Sequence, residues 1–442
     1  MGVNDQVGAP VEDRSAERVG PVGPVERVGP VGPVGPDERV GPVGPVVAVV
    51  LAGAGARGAY EAGVLSVLLP ALEGEGTAPQ IFIGTSAGAI NAAGFCALSH
   101  LGARDASDQV LRFWREIGVR DVLRVPLRGV LRAIWRRSYG GRQDRPSGLV
   151  DTGPLAATLG RLIDWRRLHE NLRTRDLTLG VVVTACSTRR TSVFVERRTP
   201  VPTMSDDERA IDYLGTTVRV DHVMASSALP ALFPPIELRH PPGNLDWSLD
   251  GGIRLNTPVK PALTLGANRV VVVATSSAAY APTGKGFQQP PPGIAGGVAQ
   301  LLHALLVDRM IEDLRTLETK NRRATEEGAG SAYQVIPWIF AGPSISDPDP
   351  VGQLVGDVFA DMTGLARIVA GPLGRWLSRD PQRGEILSYL FFHPAFLDRA
   401  IRLGRADAAR CLNPDRTPDW HTSESVASVA SAHRTPEATE GR

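Results

Sequence analysis

Gly84-Thr85-Ser86-Ala87-Gly88 follows directly on the apolar run Ile81-Phe82-Ile83. A G-x-S-x-G pentapeptide between a strand and a helix is typical of a nucleophile elbow. The glycines on both sides of Ser86 permit a sharp turn and a close approach of neighbouring elements. A helix that starts after the serine directs its free N–H groups and its positive end towards it. The stretch therefore predicts that Ser86 is an exposed nucleophile beside a site that stabilises negative charge.

Strand and helix patterns alternate on both sides of this pentapeptide. Apolar, valine-rich runs predict strands at residues 46–51, 81–83, 179–184 and 269–275. Helical spacing and small residues predict helices at residues 60–72, 87–98, 300–323 and 396–412. Pro70 is expected to kink or end the first of these helices. Alternation of this kind, with strands that are apolar throughout, favours a mainly parallel sheet covered by helices on both faces.

The composition is that of an ordinary globular protein. Of the 442 residues, 43% are hydrophobic and 21% are charged, and the formal net charge is +1, so no nucleic-acid partner is indicated. Cys96, Cys186 and Cys411 lie in apolar patterns and are expected to be buried thiols in a reducing compartment. No metal site or cofactor is predicted. The early apolar run at residues 46–52 is far shorter than the about 20 residues that span a bilayer. No N-terminal segment resembles a signal peptide, so a cytoplasmic location is expected.

Both ends of the chain differ in composition from the middle. Residues 1–45 repeat Val-Gly-Pro and are expected to form a disordered leader, since proline removes donors and glycine adds chain entropy. Residues 413–442 are rich in Ser, Thr, Pro and charge and are expected to form a disordered tail. A single domain is predicted between them at residues 46–412, with a core of motifs at 46–275 and a helical C-terminal extension at 276–412.

A glycine-rich loop follows the first predicted strand and admits two interpretations. Its residues are Gly53, Ala54, Gly55, Ala56, Arg57 and Gly58. They match the dinucleotide fingerprint G-x-G-x-x-G, but that fingerprint also needs an acidic residue near the end of the next strand. That strand ends in Gly84, and Glu73 and Glu75 precede it. The loop is therefore interpreted as an oxyanion hole, in which backbone N–H groups face a developing negative oxygen.

Asp250-Gly251-Gly252 is a third stretch that bears on the chemistry. An aspartate before two glycines is by itself compatible with a simple turn. The following residues 258–275 look like a helix and then a strand, which would place Asp250 near an edge of the sheet.

Taken together, these stretches resemble the patatin-like phospholipases. The resemblance rests on the glycine-rich loop with Gly63-Val64-Leu65, on the serine pentapeptide, on Asp250-Gly251-Gly252, and on the runs Ala225-Ser226-Ser227-Ala228-Leu229-Pro230, Phe233-Pro234-Pro235 and Asn256-Thr257-Pro258. It covers residues 46–275, and the segments 300–323 and 388–412 are similar to the C-terminal extension of bacterial members. The glycine-rich loop reads Gly-Ala-Gly where many members have three glycines, which puts in doubt only backbone angles that glycine alone adopts readily.

The resemblance implies a three-layer α/β/α sandwich and the hydrolysis of lipid esters by a Ser–Asp dyad. By position, Ser86 would be the nucleophile and Asp250 the base, with an acyl-enzyme intermediate and lipid esters such as phospholipid or lysophospholipid as substrates. Transfer of the acyl group to another alcohol is the first alternative, and a dinucleotide-binding oxidoreductase is the second. A Ser–His–Asp triad through His222, His240, His303 or His393 is a further alternative for the dyad.

A strongly basic segment lies between the serine pentapeptide and the third predicted strand. Residues 112–145 hold ten arginines against three acidic residues, and arginine recurs every fourth residue from Arg120 to Arg136 with apolar residues between. This pattern is typical of a basic amphipathic helix that lies on an anionic membrane. The alternative is a helical cap over the active site. We therefore expect residues Arg120 to Arg137 to contact an anionic membrane peripherally. A helical cap over the active site could make the same contact.

Overall fold

The computed structural model describes residues 44–124, 150–240, 244–277, 308–328, 331, 333–344, 349–362, 381–422, 424–425 and 428–429. All of them belong to one compact unit that starts at Gly44. Residues 1–43 of the expected leader lie outside the described residues. So does most of the basic segment, residues 125–149.

The centre of this unit is a ten-stranded sheet. Its strands in chain order are β1 Val47–Leu51, β2 Ile81–Thr85, β3 Thr178–Ala185, β4 Thr191–Arg197, β5 Met204–Asp206, β6 Ile211–Gly215, β7 Ile236–His240, β8 Asn244–Asp250, β9 Arg269–Val273 and β10 Trp338–Ala341. The spatial order is β10-β9-β1-β2-β3-β4-β6-β5, and the β7–β8 hairpin joins the sheet through β3.

The sheet is parallel from β10 to β3 and again between β4 and β6. Runs such as Val270–Val273 suit this part because strands that are covered on both faces have no polar side. Antiparallel pairs join β3 to β4, β3 to β8, β5 to β6 and β7 to β8. The predicted mainly parallel α/β sheet is confirmed, and the sequence patterns did not predict these antiparallel strands.

Helices cover the sheet. The described helices are α1 Gly58–Glu75, α2 Ala87–Leu98, α3 Ala103–Glu116, α4 Val119–Val122, α5 Gly153–Leu162, α6 Trp165–Thr174, α7 Val220–Ser226, α8 Val259–Thr264, α9 Asp308–Glu327, α10 Pro350–Asp361, α11 Pro381–Ser388 and α12 Pro394–Ala409. Successive β1 residues face opposite sides: Val49 packs in the core with α1, α2 and α12, and Val50 packs in the core with α8 and α9. Three layers result, α/β/α.

Several predicted elements differ from those in the structure. Pro70 lies inside α1, which continues to Glu75, so the proline does not end this helix. Cys186 is exposed in a turn after β3, and the prediction that it is buried is wrong, because its apolar neighbours belong to the strand before it. After α12, His421 exchanges backbone hydrogen bonds with Trp338 on the edge strand β10. No helix among the described residues is long and apolar enough to cross a bilayer.

Candidate active site

Ser86 occupies the sharp turn between β2 and α2. Its φ of 53° and ψ of −122° are rarely adopted by a residue with a side chain, as expected at a strained elbow. A Cβ at Gly84 would collide with the backbone of Gly88, and a Cβ at Gly88 would stand 2.6 Å from Leu51 O. The two flanking glycines therefore let α2 pack directly against β1 and β2, and together with Thr85 and Ala87 they form the elbow that the pentapeptide predicts.

Ser86 and Asp250 come together because two strands meet end to end. β2 runs parallel to β3 and ends at Thr85, which pairs with Val182. β8 runs antiparallel to β3 along the same edge and ends at Asp250, which pairs with Val183. Val182 and Val183 are consecutive residues, about 3.3 Å apart along the strand. The sheet therefore brings the residue after Thr85 next to Asp250, although 164 positions separate Ser86 from Asp250 in the sequence.

The carboxyl group of Asp250 is buried and has one oxygen available for the serine. Its Oδ1 accepts a hydrogen bond from the N–H of Gly252 at 2.7 Å. Its Oδ2 is buried and makes no well-formed hydrogen bond with the described residues. Burial raises the pKa of Asp250 from 3.8 to about 7, and the N–H of Gly252 and the hydroxyl of Ser86 oppose this rise. A carboxylate with a pKa near 7 is a much better general base than one with an ordinary pKa.

The glycine-rich loop lies beside the serine, since a Cβ at Gly53 would be 3.2 Å from Ser86 Cβ. Four of the six N–H groups predicted to form the oxyanion hole already donate to other atoms: Gly53 to Asn256 Oδ1 at 2.9 Å, Ala56 to Tyr389 O at 2.8 Å, Arg57 to Ala54 O at 3.0 Å, and Gly58 to the carbonyls of Gly55 and Ala56. The N–H groups of Ala54 and Gly55 have no partner among the described residues.

These two amides narrow the predicted oxyanion hole to one short part of the loop. Gly55 has a φ of +54°, which favours glycine, and it lines the same cavity as Ser86. Ala54 has a φ of −151°, which is outside the left-handed region that favours glycine, so this position does not require a glycine for a positive φ. The N-terminus of α2, which begins at Ala87 directly after the serine, adds a positive dipole end at the same place.

Arg57 is a structural anchor of the loop. Its side chain is fully buried, forms an ion pair with Asp349 at 2.6 Å and donates to Ser388 Oγ at 2.7 Å. Its guanidinium also lies over the ring of Tyr389, 4.3 Å from the ring centroid. All of these partners follow residue 340, so the C-terminal part of the chain fixes the loop. These contacts match a role in pinning the loop, and the ion pair with Asp349 already occupies the guanidinium.

Ser226 lies near the site, and the sequence patterns assigned no role to it. Its hydroxyl, which is fully buried, accepts a hydrogen bond from the N–H of Ser86 at 2.8 Å and donates one to Val182 O at 2.6 Å. Two residues later, Ala228 O accepts from the N–H of Asp250 at 2.9 Å. The C-terminal end of α7 and the residues after it therefore hold the backbone of Ser86 and the backbone of Asp250. The run Ala225-Ser226-Ser227 was the available signal.

A small apolar cavity of about 30 Å³ opens onto Ser86. Its walls come from α2, α3, α5, the segment after α7 and the C-terminal part of the chain, and they include Ala87, Ile90, Phe113, Leu155, Leu229 and Tyr389. The sequence predicts an exposed Ser86, but this residue is only 6% exposed in the structure. Tyr389, Leu390 and Phe392 help to enclose it. Tyr389 is a second residue that the sequence did not single out, since only its place in the C-terminal extension was recognised.

The histidines that are described near the sheet have other partners. His222 Nδ1 accepts from the N–H of Arg219, and His393 Nδ1 accepts from the N–H of Ala395. No histidine is among the described residues that line the cavity at Ser86. His303 and the side chain of His240 lie outside the described part of the chain. Within that part, no cluster of three metal-ligating side chains occurs.

A nucleophile elbow in a mainly parallel sheet, beside a buried carboxyl group, defines an α/β protein of the serine hydrolase type. Residues 49–263 match the family model described as Patatin-like phospholipase, so this part of the chain is similar to that family. No curated protein matches the chain. Among solved structures, VipD from Legionella pneumophila matches with a TM-score of 0.28 and 15% identity, over 69% of this chain and 63% of that chain.

Proposed function

We propose that this protein is a serine acyl hydrolase that cleaves lipid carboxylic esters, with Ser86 as nucleophile and Asp250 as base. The observation that carries the proposal is the meeting of β2 and β8 on β3, which brings a strained serine to a buried carboxyl group. The family match over residues 49–263 supports the same chemistry. The apolar lining of the adjoining cavity supports a lipid acyl group as the part of the substrate that is bound.

The reaction proceeds in two steps. Asp250 Oδ2 accepts the hydroxyl proton of Ser86 as Oγ attacks the ester carbonyl, and the alcohol leaves with a proton to give an acyl-enzyme. The N–H groups of Ala54 and Gly55 and the N-terminus of α2 hold the tetrahedral oxyanion. Water then attacks the acyl-enzyme while Asp250 takes its proton, the bond between Ser86 Oγ and the acyl carbon breaks, and the carboxylic acid leaves as Oγ regains the proton from Asp250. The raised pKa of Asp250, about 7, explains how a carboxylate serves as base without a histidine.

The dinucleotide interpretation of the glycine-rich loop is disfavoured by its contacts. Tyr389 O already accepts from the N–H of Ala56, and a Cβ at Gly55 would collide with that carbonyl. The loop is thus covered where a pyrophosphate would have to approach the backbone. Acyl transfer to an alcohol remains the alternative within the same chemistry. An added acceptor alcohol distinguishes the two reactions, because transfer gives a new ester and hydrolysis gives a free acid.

A fluorophosphonate probe tests the nucleophile directly. The purified chain should form one adduct on the peptide that contains Ser86 and should turn over a panel of phospholipids, lysophospholipids and neutral esters. Ser86→Ala should abolish both, while the thermal melting temperature changes little. Turnover that persists in Ser86→Ala would refute the assignment. Ser107→Ala is the matched control, because it removes another buried serine hydroxyl, whose one hydrogen bond among the described residues goes to Ala103 O within α3.

Contact with an anionic membrane is a separate part of the proposal. Arg120 and Arg124 are exposed at and after α4, and residues 125–145 of the basic segment lie outside the described residues. Co-sedimentation with vesicles that contain an anionic phospholipid should fall when Arg128, Arg132 and Arg136 are replaced by glutamate. Binding that is unaffected by these replacements would contradict membrane contact through this segment.

A further inference from the structure

A second and larger cavity lies along α2, next to the cavity at Ser86. Its volume is about 370 Å³, and its walls are formed by α2, α3 and the region of α5 and α6. Ile90 and Phe113 line both cavities. These two side chains therefore lie between the large cavity and the one at Ser86, and nothing in the proposed dyad chemistry uses the large cavity.

The geometry of α2 leads from the nucleophile into this cavity. Ser86 caps the helix, and Ala87, Ile90, Gly94 and Leu98 follow at spacings of three and four residues, which places them on one face. Ala87 and Ile90 line the catalytic cavity, and Ile90, Gly94 and Leu98 line the large one. At 1.5 Å per residue, this face extends about 17 Å from Ala87 to Leu98. It forms one straight path that starts at the nucleophile.

The chemistry of the walls changes along this path. Apolar side chains, among them Val110, Leu98 and Leu159, line the large cavity together with Ile90, and Asn91 adds one buried amide. At the other end of α2 the exposed residues His100, Gln109 and Asp164 also line it, so this end opens to solvent. A ligand that starts at Ser86 and follows the path must therefore be thin, unbranched and apolar near the catalytic site. A long acyl chain has these properties.

We propose that the large cavity binds the distal part of the acyl chain of the substrate, and that the protein therefore prefers long-chain over short-chain acyl esters. The proposal rests on the proposed acyl hydrolase function. Rotation of Ile90 and Phe113 connects the two cavities when a long chain enters. A short acyl group occupies the catalytic cavity alone. Each methylene that is buried is expected to raise kcat/KM about fourfold until the cavity is filled.

Gly94 offers a way to fill the large cavity without disturbing the catalytic residues. A Cβ at this position would meet only Val110 Cγ2, at an ordinary 3.8 Å. Replacing a glycine inside a helix also raises its helix propensity, so Gly94→Leu should fold. In α5, Gly160→Leu is the matched control, because a Cβ there meets nothing within 4 Å and the position is exposed.

The test uses p-nitrophenyl esters, so that only the acyl chain varies. With wild type, kcat/KM should rise from butyrate to palmitate. Gly94→Leu should lose at least tenfold in kcat/KM for palmitate and leave butyrate within twofold, and Gly160→Leu should match wild type on both. An equal loss of kcat/KM for both esters, or no loss for palmitate, would overturn the proposal. Either result would show that the acyl chain of the substrate does not lie in the large cavity.

Binding of free palmitate, measured by titration calorimetry, separates this inference from the proposed function. Wild type and Gly160→Leu should bind palmitate, and Gly94→Leu should bind it at least tenfold more weakly, whether or not any ester is hydrolysed. A chain that hydrolyses no ester but binds palmitate in this pattern would refute the hydrolase and support the site. A protein that hydrolyses esters but binds palmitate equally with and without Gly94→Leu would support the hydrolase function and refute the acyl-chain site.

Discussion

Replacing Asp250 by asparagine is expected to stabilise the folded protein at neutral pH while it removes the general base. The carboxyl group is 3% exposed, and its pKa is about 7 in the folded protein against an ordinary value of 3.8. At 1.36 kcal/mol per pKa unit, this difference corresponds to about 4 kcal/mol. Asparagine keeps an oxygen that accepts from the N–H of Gly252 and has no charge to bury.

The sign of the effect follows from proton binding. Because the folded state binds the proton of Asp250 more tightly than the unfolded state, the contribution to stability is complete below pH 3.8. It is lost as the pH rises through about 7 and changes no further above that. Asp250→Asn does not titrate, so its free energy of unfolding should exceed that of wild type by up to about 4 kcal/mol above pH 7. Below pH 3.8 the two proteins should be equally stable.

Thermal melting and urea unfolding of both proteins between pH 4 and pH 9 measure this difference. The matched control is Asp246→Asn, the same substitution four residues earlier on β8 at a carboxylate that bonds to Ser187. In parallel, wild-type kcat/KM should rise with an apparent pKa of about 7, and Asp250→Asn should lose nearly all turnover. A stability difference that does not change with pH, or near-native kcat in Asp250→Asn, would refute the reasoning.

Two further substitutions test neighbouring residues. Ser226→Ala removes the acceptor of the Ser86 N–H and one hydrogen bond to Val182 O, which should cost about 1–3 kcal/mol of stability and lower kcat with little change in KM. An unchanged kcat would contradict a positioning role, and Ser107→Ala controls for the loss of a buried serine. Glu61 is fully buried with Asn91 donating to it at 3.0 Å, and burial raises its pKa well above 4.5. The stability of wild type should therefore fall as the pH rises above 4.5. Glu61→Gln should remove this part of the pH dependence of the melting temperature. If the substitution leaves that pH dependence unchanged, Glu61 is charged in the folded protein.

Much of the site was predictable because its chemistry lies in contiguous residues. The elbow around Ser86 follows from two glycines beside a serine after an apolar run, and the structure shows why both glycines are needed. The loop from Gly53 to Gly58 was also recognised, but not which of its amides are free. That depends on Asn256 and Tyr389, which accept hydrogen bonds from far along the chain.

The antiparallel strands mark where sequence patterns were insufficient. β8 alternates polar residues such as Asp246 and Ser248 with apolar ones, so no continuous apolar run predicted it. Its pairing with β3 decides that Asp250 meets the end of β2. The local sequence Asp250-Gly251-Gly252 is compatible both with a simple turn and with the proposed catalytic aspartate. Only the pairing of β8 with β3 distinguishes these two interpretations.

The sequence alone therefore determined the strand–serine–helix elbow, the glycine-rich loop and a mainly parallel α/β sheet, because each depends on local backbone preferences and hydrophobic periodicity. The tertiary structure alone decided that Asp250 lies beside Ser86, that Ser226 holds the elbow and that the C-terminal residues cover the loop. It also decided the pKa of Asp250, about 7, since burial depends on how distant segments pack and not on neighbours in the sequence.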